Sequence, residues 1–102
     1  MIDRDEITYV KPVHINGEVG AEPTMILDVE TVVHSFMIHN THNKNYLYVS
    51  FDGGTRYKAL EPDASLSLRG TSNVRILLKD GVKAKGSGSN TTYESIILRY
   101  ES

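Results

Sequence analysis

The chain has 102 residues, 11 basic and 13 acidic side chains, a formal charge of −2 and no cysteine. That length allows one domain with a single modest core. The near-neutral balance gives no electrostatic reason to expect nucleic acid as a partner, and the lack of thiols excludes disulfides, thiolate chemistry and cysteine-held zinc. No apolar run approaches the roughly 20 residues of a membrane helix, and the acidic, polar start "MIDRDEITYV" does not read as a secretory signal.

Residues 1–24 hold two prolines, two glycines and scattered apolar side chains (Ile2, Ile7, Tyr9, Val10, Val13, Ile15, Val19). "ITYVKPVHI" can be extended, but nothing near it in sequence looks like a hairpin partner. The segment is expected to be an extended arm, separate from a domain at 25–102, that pairs elsewhere, for instance on a neighbouring subunit.

From residue 25 onward the periodicity is that of strands. "TVVHSFMIHN" offers Phe36 and Ile38 as a core pair, and "NTHNKN" is a polar loop. In "NYLYVSF", Leu47, Val49 and Phe51 alternate with Tyr46, Tyr48 and Ser50. "DGG" is a tight turn, and "EPDAS" is another. Leu66 and Leu68 alternate with serines, and Val74, Ile76 and Leu78 form the next face. "VKAKGSGSNTT" (82–92) reads as a flexible loop of small polar residues and lysines, and "YESIILRY" places Ile96, Leu98 and Tyr100 on one face. Short strands with regular turn punctuation predict an all-β chain: a small antiparallel β-sandwich, jelly-roll-like, without a helix longer than one turn. The predicted core is Leu47, Val49, Phe51, Leu66, Leu68, Val74, Ile76, Leu78, Ile96 and Leu98.

Ser50, Asp52, Gly54 and Tyr57 fit a loose Ser-x-Asp-x-Gly-x-x-aromatic pattern. The pattern looks like the Asp-box turn of sialidase propellers, but one copy in so short a chain cannot build a propeller. Each residue has a structural role in a tight turn. Asp52 can accept from backbone N–H groups, Gly53 and Gly54 can take positive φ, and Tyr57 can cover the turn. A hairpin is therefore expected rather than a sugar site. His34, His39 and His42 are close in sequence, but the odd spacing of the first two places them on opposite sides of a regular strand. A metal site needs three or four converging ligands, so surface or subunit hydrogen bonding is the expected role.

"GSGSN" leads into a strand and lacks the helix start that holds phosphate. Asp3, Asp5 and Glu6 lie in a terminal segment rather than a dry cleft. No catalytic, cofactor or metal residue is expected, and the chain reads as a non-enzyme. Tyr46 and Tyr48 alternate away from the core, and interface burial suits them best. The expected subunit contacts are Ile7, Tyr9, Val10, Val13, Ile15, Tyr46 and Tyr48.

The order of "FMIHN", "LYVSFDGGTRYKALEPDASLSL", "VRILLKDG" and "TTYESIILRYE", over residues 31–101, resembles small β-sandwich virion proteins of tailed bacteriophages. These are of the capsid decoration (cement) type or other minor structural proteins. The resemblance implies a non-enzymatic protein made in the host cytoplasm and assembled in many copies on a virion. Its partners would be the major capsid protein or other virion proteins, and it would form a homo-oligomer. Tail, neck or baseplate placement, or a sugar-binding module on a tail fibre, are the alternatives.

Overall fold

A computed structural model describes residues 10–69 and 75–100, with Val10, Lys11, Arg99 and Tyr100 described by their backbone alone. Among the described residues ten strands run in chain order: β1 Val10–Val19, β2 Thr24–Leu27, β3 Thr31–Val33, β4 Ser35–Asn40, β5 Leu47–Ser50, β6 Lys58–Leu60, β7 Ser65–Arg69, β8 Ile76–Leu78, β9 Val82–Gly86 and β10 Thr91–Tyr100. One sheet has the order β1-β10-β4-β7, a second β2-β9-β5-β6, and β3 pairs with β8 as a short ribbon. Every pairing is antiparallel. The strands pass between the sheets in the manner of a jelly roll, a form of β-sandwich in which two four-stranded sheets enclose one core. The expected all-β, jelly-roll-like sandwich is what the chain adopts.

Phe36, Ile38, Leu47, Val33, Val82 and Ala84 are wholly buried, joined by Val19, Val49, Leu60, Leu78, Tyr93 and Ile97. Phe36 meets Phe51 edge-on, with ring centroids 6.0 Å apart and planes at 85°, an arrangement favoured by the aromatic quadrupole. Phe51, Leu66, Leu68 and Ile76 pack on this core from its margins, half-buried. Val74 lies outside the described residues.

Three expectations are corrected. Ile96 and Leu98 do not face the core. On β10 the inward residues are Thr91, Tyr93, Ser95 and Ile97, so the opposite face of the strand is the buried one. The run Ile96-Ile97-Leu98 is apolar at every position, and alternation alone could not choose between its faces.

The segment 82–92 is not a flexible loop in its first half. Val82, Ala84 and Gly86 are buried, and Lys83 and Lys85 are half-buried on the other side of β9, between β2 and β5.

The segment read as an arm outside the core is, over its described part, a strand of the domain's own sheet. β1 pairs with β10 from Val10↔Tyr100 to Val19↔Thr91. Its partner is the last strand, which no local search of the sequence would find. Val19 is in the core, and Val13 and Ile15 pack against it. Pro12 stands on an edge strand, where a missing N–H is tolerated. Gly17 has a packing reason: a Cβ there would come within 2.7 Å of the Tyr93 hydroxyl, because the tyrosine ring lies across β1 at this point.

Asn40 is the buried polar hub. Its Nδ2 donates to the carbonyls of Asn45 (2.9 Å) and Leu60 (3.0 Å), while its Oδ1 accepts from the N–H of His42 (2.9 Å). One side chain thus ties the β4–β5 loop to the end of β6, and burial without those bonds would be costly.

Two comparisons test this arrangement. Ile97→Ala should cost about 2–5 kcal/mol in chemical denaturation, as for other buried isoleucines, and Ile96→Ala markedly less; equal costs would mean that the faces of β10 are assigned wrongly. Asn40→Leu should cost at least about 2 kcal/mol, since it strands two carbonyls and an N–H; an unchanged midpoint would show that Asn40 is not a structural hub.

Candidate functional site

Three groups of residues stand out from the framework. The first is the turn after β5. The Ser50 hydroxyl donates to Asp52 Oδ1 (2.8 Å) and accepts from the N–H of Gly54 (2.9 Å). Asp52 Oδ1 also accepts from the N–H groups of Thr55 (3.1 Å) and Arg56 (2.9 Å). The backbone N–H of Arg56, then the Ser50 hydroxyl, holds the Asp52 carboxyl below its ordinary pKa. Gly53 and Gly54 have φ of 77° and 96°, which L side chains rarely adopt. Ser50 is buried rather than turned outward with Tyr48, because the chain folds back and encloses its hydroxyl. The carboxylate expected to brace a hairpin does so, and its bonding is directed into the turn.

Beside this turn lies an aromatic surface. Lys85 on β9 is opposite Tyr48 on β5. Its ammonium nitrogen is 4.4 Å from the Tyr57 ring centroid and 5.8 Å from that of Tyr48, within cation–π range. Tyr46 is exposed, and its backbone is tied to Ser87 by two bonds of 2.9 Å. A shallow hollow of about 330 Å³ next to the turn is lined by Val49, Phe51, Asp52, Arg56, Tyr57 and Lys58.

The second group centres on His39. Its Nδ1 is 3.2 Å from Glu94 Oε1, and its Nε2 is 2.9 Å from Asp63 Oδ1 and 3.1 Å from the Asp63 carbonyl. Hydrogen bonding to Glu94, with help from Asp63 and against partial burial, raises the His39 pKa. With two carboxylates and a carbonyl around one ring, the imidazolium form has an acceptor for each N–H. The group ties β4 to β10 and to the β6–β7 turn. Glu94 also borders a hollow of about 500 Å³ with Asn16, Gly17, Glu18, Thr41, Thr92 and Tyr93. The expectation that the histidines hydrogen-bond at the surface holds for His39 and for His42, whose Nδ1 accepts from the N–H groups of Lys44 (3.0 Å) and Asn45 (2.8 Å). Asp63 and Glu94 carry no signal in the sequence. They lie 24 and 55 residues from His39, so no spacing rule connects them.

The third group is the outward face of the β1-β10-β4-β7 sheet. Opposite the core, β10 presents Ile96 and Leu98. The residues paired with them are His14 and Pro12 on β1, and Met37 and Ser35 on β4. Ile96, Leu98 and Met37 are half-buried, and Pro12 is exposed. Toward the end of β10 the strand is apolar on both sides, with Ile97 inward and Ile96 and Leu98 outward, while Thr92 and Glu94 keep the start of the outward face polar.

The residues expected to make subunit contacts are divided by the fold. Ile7 and Tyr9 lie outside the described residues, Val10 is in β1, Val13 and Ile15 pack on the core, and Tyr46 and Tyr48 are on the opposite side of the sandwich. Among the described residues, Val13 and Ile15 face the core from one sheet while Tyr46 and Tyr48 belong to β5 and the loop before it in the other, so these four do not share a patch.

These features define an all-β protein of jelly-roll topology with a polar network bracing its turns and apolar side chains on an outer sheet face. No family model and no curated protein matches the chain. Among solved structures it is similar to a de novo designed double-stranded β-helix, at 14% identity over 89% of this chain and 99% of that one, with a TM-score of 0.44.

Two titrations follow. Asp52 has a depressed folded pKa, so its contribution to stability is present above the unfolded value of about 3.9 and fades as pH falls through the folded one. Asp52→Asn should lower the denaturation midpoint at neutral pH and flatten that acid dependence. His39 has a raised folded pKa, so its contribution is complete below the unfolded value of about 6.5 and is lost as pH rises through the folded one. A His39 midpoint at or below about 6.5 by nuclear magnetic resonance would contradict the placement of the two carboxylates.

Proposed function

We propose that this protein is a non-enzymatic structural component of a tailed-phage virion, a decoration protein that stabilises the head through contacts with the major capsid protein. The observation that carries this reading is the outward face of β10. Ile96 and Leu98, with Met37 and Pro12 on the flanking strands, place apolar side chains on the outside of a sheet whose inside is already the core. Such a face gains free energy when another surface covers it. The resemblance of residues 31–101 to small β-sandwich virion proteins of tailed phages, of the decoration or other minor structural type, supports a virion surface as the partner.

The polar clusters support a non-catalytic role. His39 has both ring nitrogens engaged, and Asp52 Oδ1 accepts from one hydroxyl and two backbone N–H groups. Both sets brace the framework. The sugar-binding alternative would use Tyr46, Tyr48 and the 52–57 turn. It is weakened because Lys85 lies over the Tyr57 and Tyr48 rings and Asp52 bonds inward.

Mass spectrometry of purified particles, with cryo-electron microscopy of a tagged version, tests the placement. Density repeated over the head lattice is the expected result. Density at the tail, neck or baseplate would move the protein within the virion, and its absence from particles would end the proposal. Added to heads lacking it, the Ile96→Asp variant should stay folded by circular dichroism and lose at least about tenfold in affinity, as for a charge placed in an apolar contact. Unchanged binding would exclude this face. A glycan array probed with the whole chain checks the sugar alternative.

A further inference from the structure

The β3–β8 ribbon carries a second surface, distinct in its chemistry from the outer face of β10. Its inward residues close the core: Val33 is 0% exposed and Leu78 5%, and Ile76 packs beside them. Its outward residues do the reverse. Val32 and Leu77 are direct cross-strand partners, yet they are 41% and 57% exposed, and Val29 in the preceding turn is 57% exposed. A polypeptide that buries Val33 and Leu78 could carry polar residues at the alternate positions at no cost to the core. Two large aliphatic side chains placed side by side on the solvent face of a ribbon form the nucleus of a contact.

The charges around this pair restrict what can cover it. At one end of the ribbon the Glu30 N–H donates to the Lys79 carbonyl at 3.1 Å, and both side chains are exposed. Glu30 stands on the β3 side and Lys79 on the β8 side, with Asp28 and Asp80 also exposed at that end and Arg75 at the other. A uniformly acidic or basic partner would meet one of them with like charge. A second copy of the same ribbon, set over it by a two-fold axis, places each Glu30 against a Lys79.

We propose that the outer face of the β3–β8 ribbon is a self-association surface that takes a second copy of this chain. The copies are related by a two-fold axis running along the ribbon between its strands. That axis lays β3 of each copy over β8 of the other. Each Val32 then packs on the partner's Leu77, and each Glu30 faces the partner's Lys79, both contacts occurring twice. The ribbon spans only about 10 Å, at roughly 3.3 Å for each of three residues. The contact is therefore at the small end of protein interfaces, and the dimer is weak, with a dissociation constant on the order of 0.1–1 mM.

Sedimentation equilibrium and concentration-dependent amide shifts on the whole chain, up to about 1 mM, test this. The expected result is a monomer–dimer equilibrium with shifts confined to β3, β8 and the turns that flank them, weakened by added salt. Leu77→Ser should weaken association by about tenfold or more, with an unchanged circular dichroism spectrum because the residue is mostly exposed. Val32→Ser should act the same way. Glu30→Lys alone and Lys79→Glu alone should each weaken the dimer, and the two together should restore it, a rescue that a merely structural role for either residue would not produce. A protein that stays monomeric throughout the range, association undiminished in Leu77→Ser, shifts centred elsewhere, or a double charge swap that fails to rescue would each overturn the proposal.

Discussion

The pairing of the first described strand with the last is the constraint on which the rest of the structure depends. β1 and β10 are matched residue for residue over ten positions, from Val10↔Tyr100 to Val19↔Thr91. β10 in turn holds β4 on its other side. Without β1 the long central strand would present an open edge, and Val13, Ile15 and Val19 would leave the core. Without β10 the sheet would separate into β1 and the β4–β7 pair. This closure spans almost the whole chain, so its loop entropy must be met before its contacts are gained. Such a topology has a high contact order and belongs among slow-folding all-β domains.

The polar interior is arranged to support that closure. Thr91 and Ser95 are buried on β10, and the Thr91 hydroxyl donates to the Gly88 carbonyl (3.0 Å) while accepting from Asn45 Nδ2 (3.1 Å). Asn45 is itself bound through its carbonyl to Asn40. A connected series of side chains therefore runs from the β4–β5 loop to the start of β10, at the end of the sandwich where β1 finishes. Among the described residues no buried side-chain polar atom is left without a partner. Each bond contributes only modestly, but together they set the register that brings Ile97 inward and Ile96 outward.

That register was the part of the fold least legible in the sequence. Strand periodicity was clear where apolar and polar residues alternate, as in "SFMIHN" and "NYLYVS", and those strands bury Phe36, Ile38, Leu47 and Val49 as expected. It failed at "ESIIL", because Ser95 is buried on the inner face while Ile96 and Leu98 are outside. It failed at "VKAKG" because Ala84 and Gly86 are small. Their size suits a tight interior: a Cβ at Gly86 would collide with Thr91. β1 could not be placed because its partner is at the far end of the chain. Among the candidate sites, the Ser50–Asp52 turn was readable because all its bonds are local. The His39–Asp63–Glu94 group was not, because only the folded sheet brings β10 and the β6–β7 turn to the same ring. Lys85 over Tyr57 was hidden by the reading of its strand as a loop.

The outer face of β10 and the β3–β8 ribbon differ in a way that suits different kinds of contact. The face of β10 carries half-buried apolar side chains, Ile96 and Leu98 with Met37 beside them, bordered by His14, His39 and Glu94. The ribbon is narrow, its two aliphatic residues stand well clear of their surroundings, and acid and base lie on opposite strands. An apolar face of half-buried side chains tolerates a dissimilar partner. A small one with an antisymmetric charge pair is selective for its own copy. On the proposed reading, many copies are anchored on one particle, and the ribbon contact need not be strong in solution. Anchoring raises the effective concentration of one ribbon near the next, provided that the spacing lets them meet. A contact too weak to dimerise the free protein at ordinary concentrations would then close on the particle alone, and the free chain would be kept from assembling prematurely.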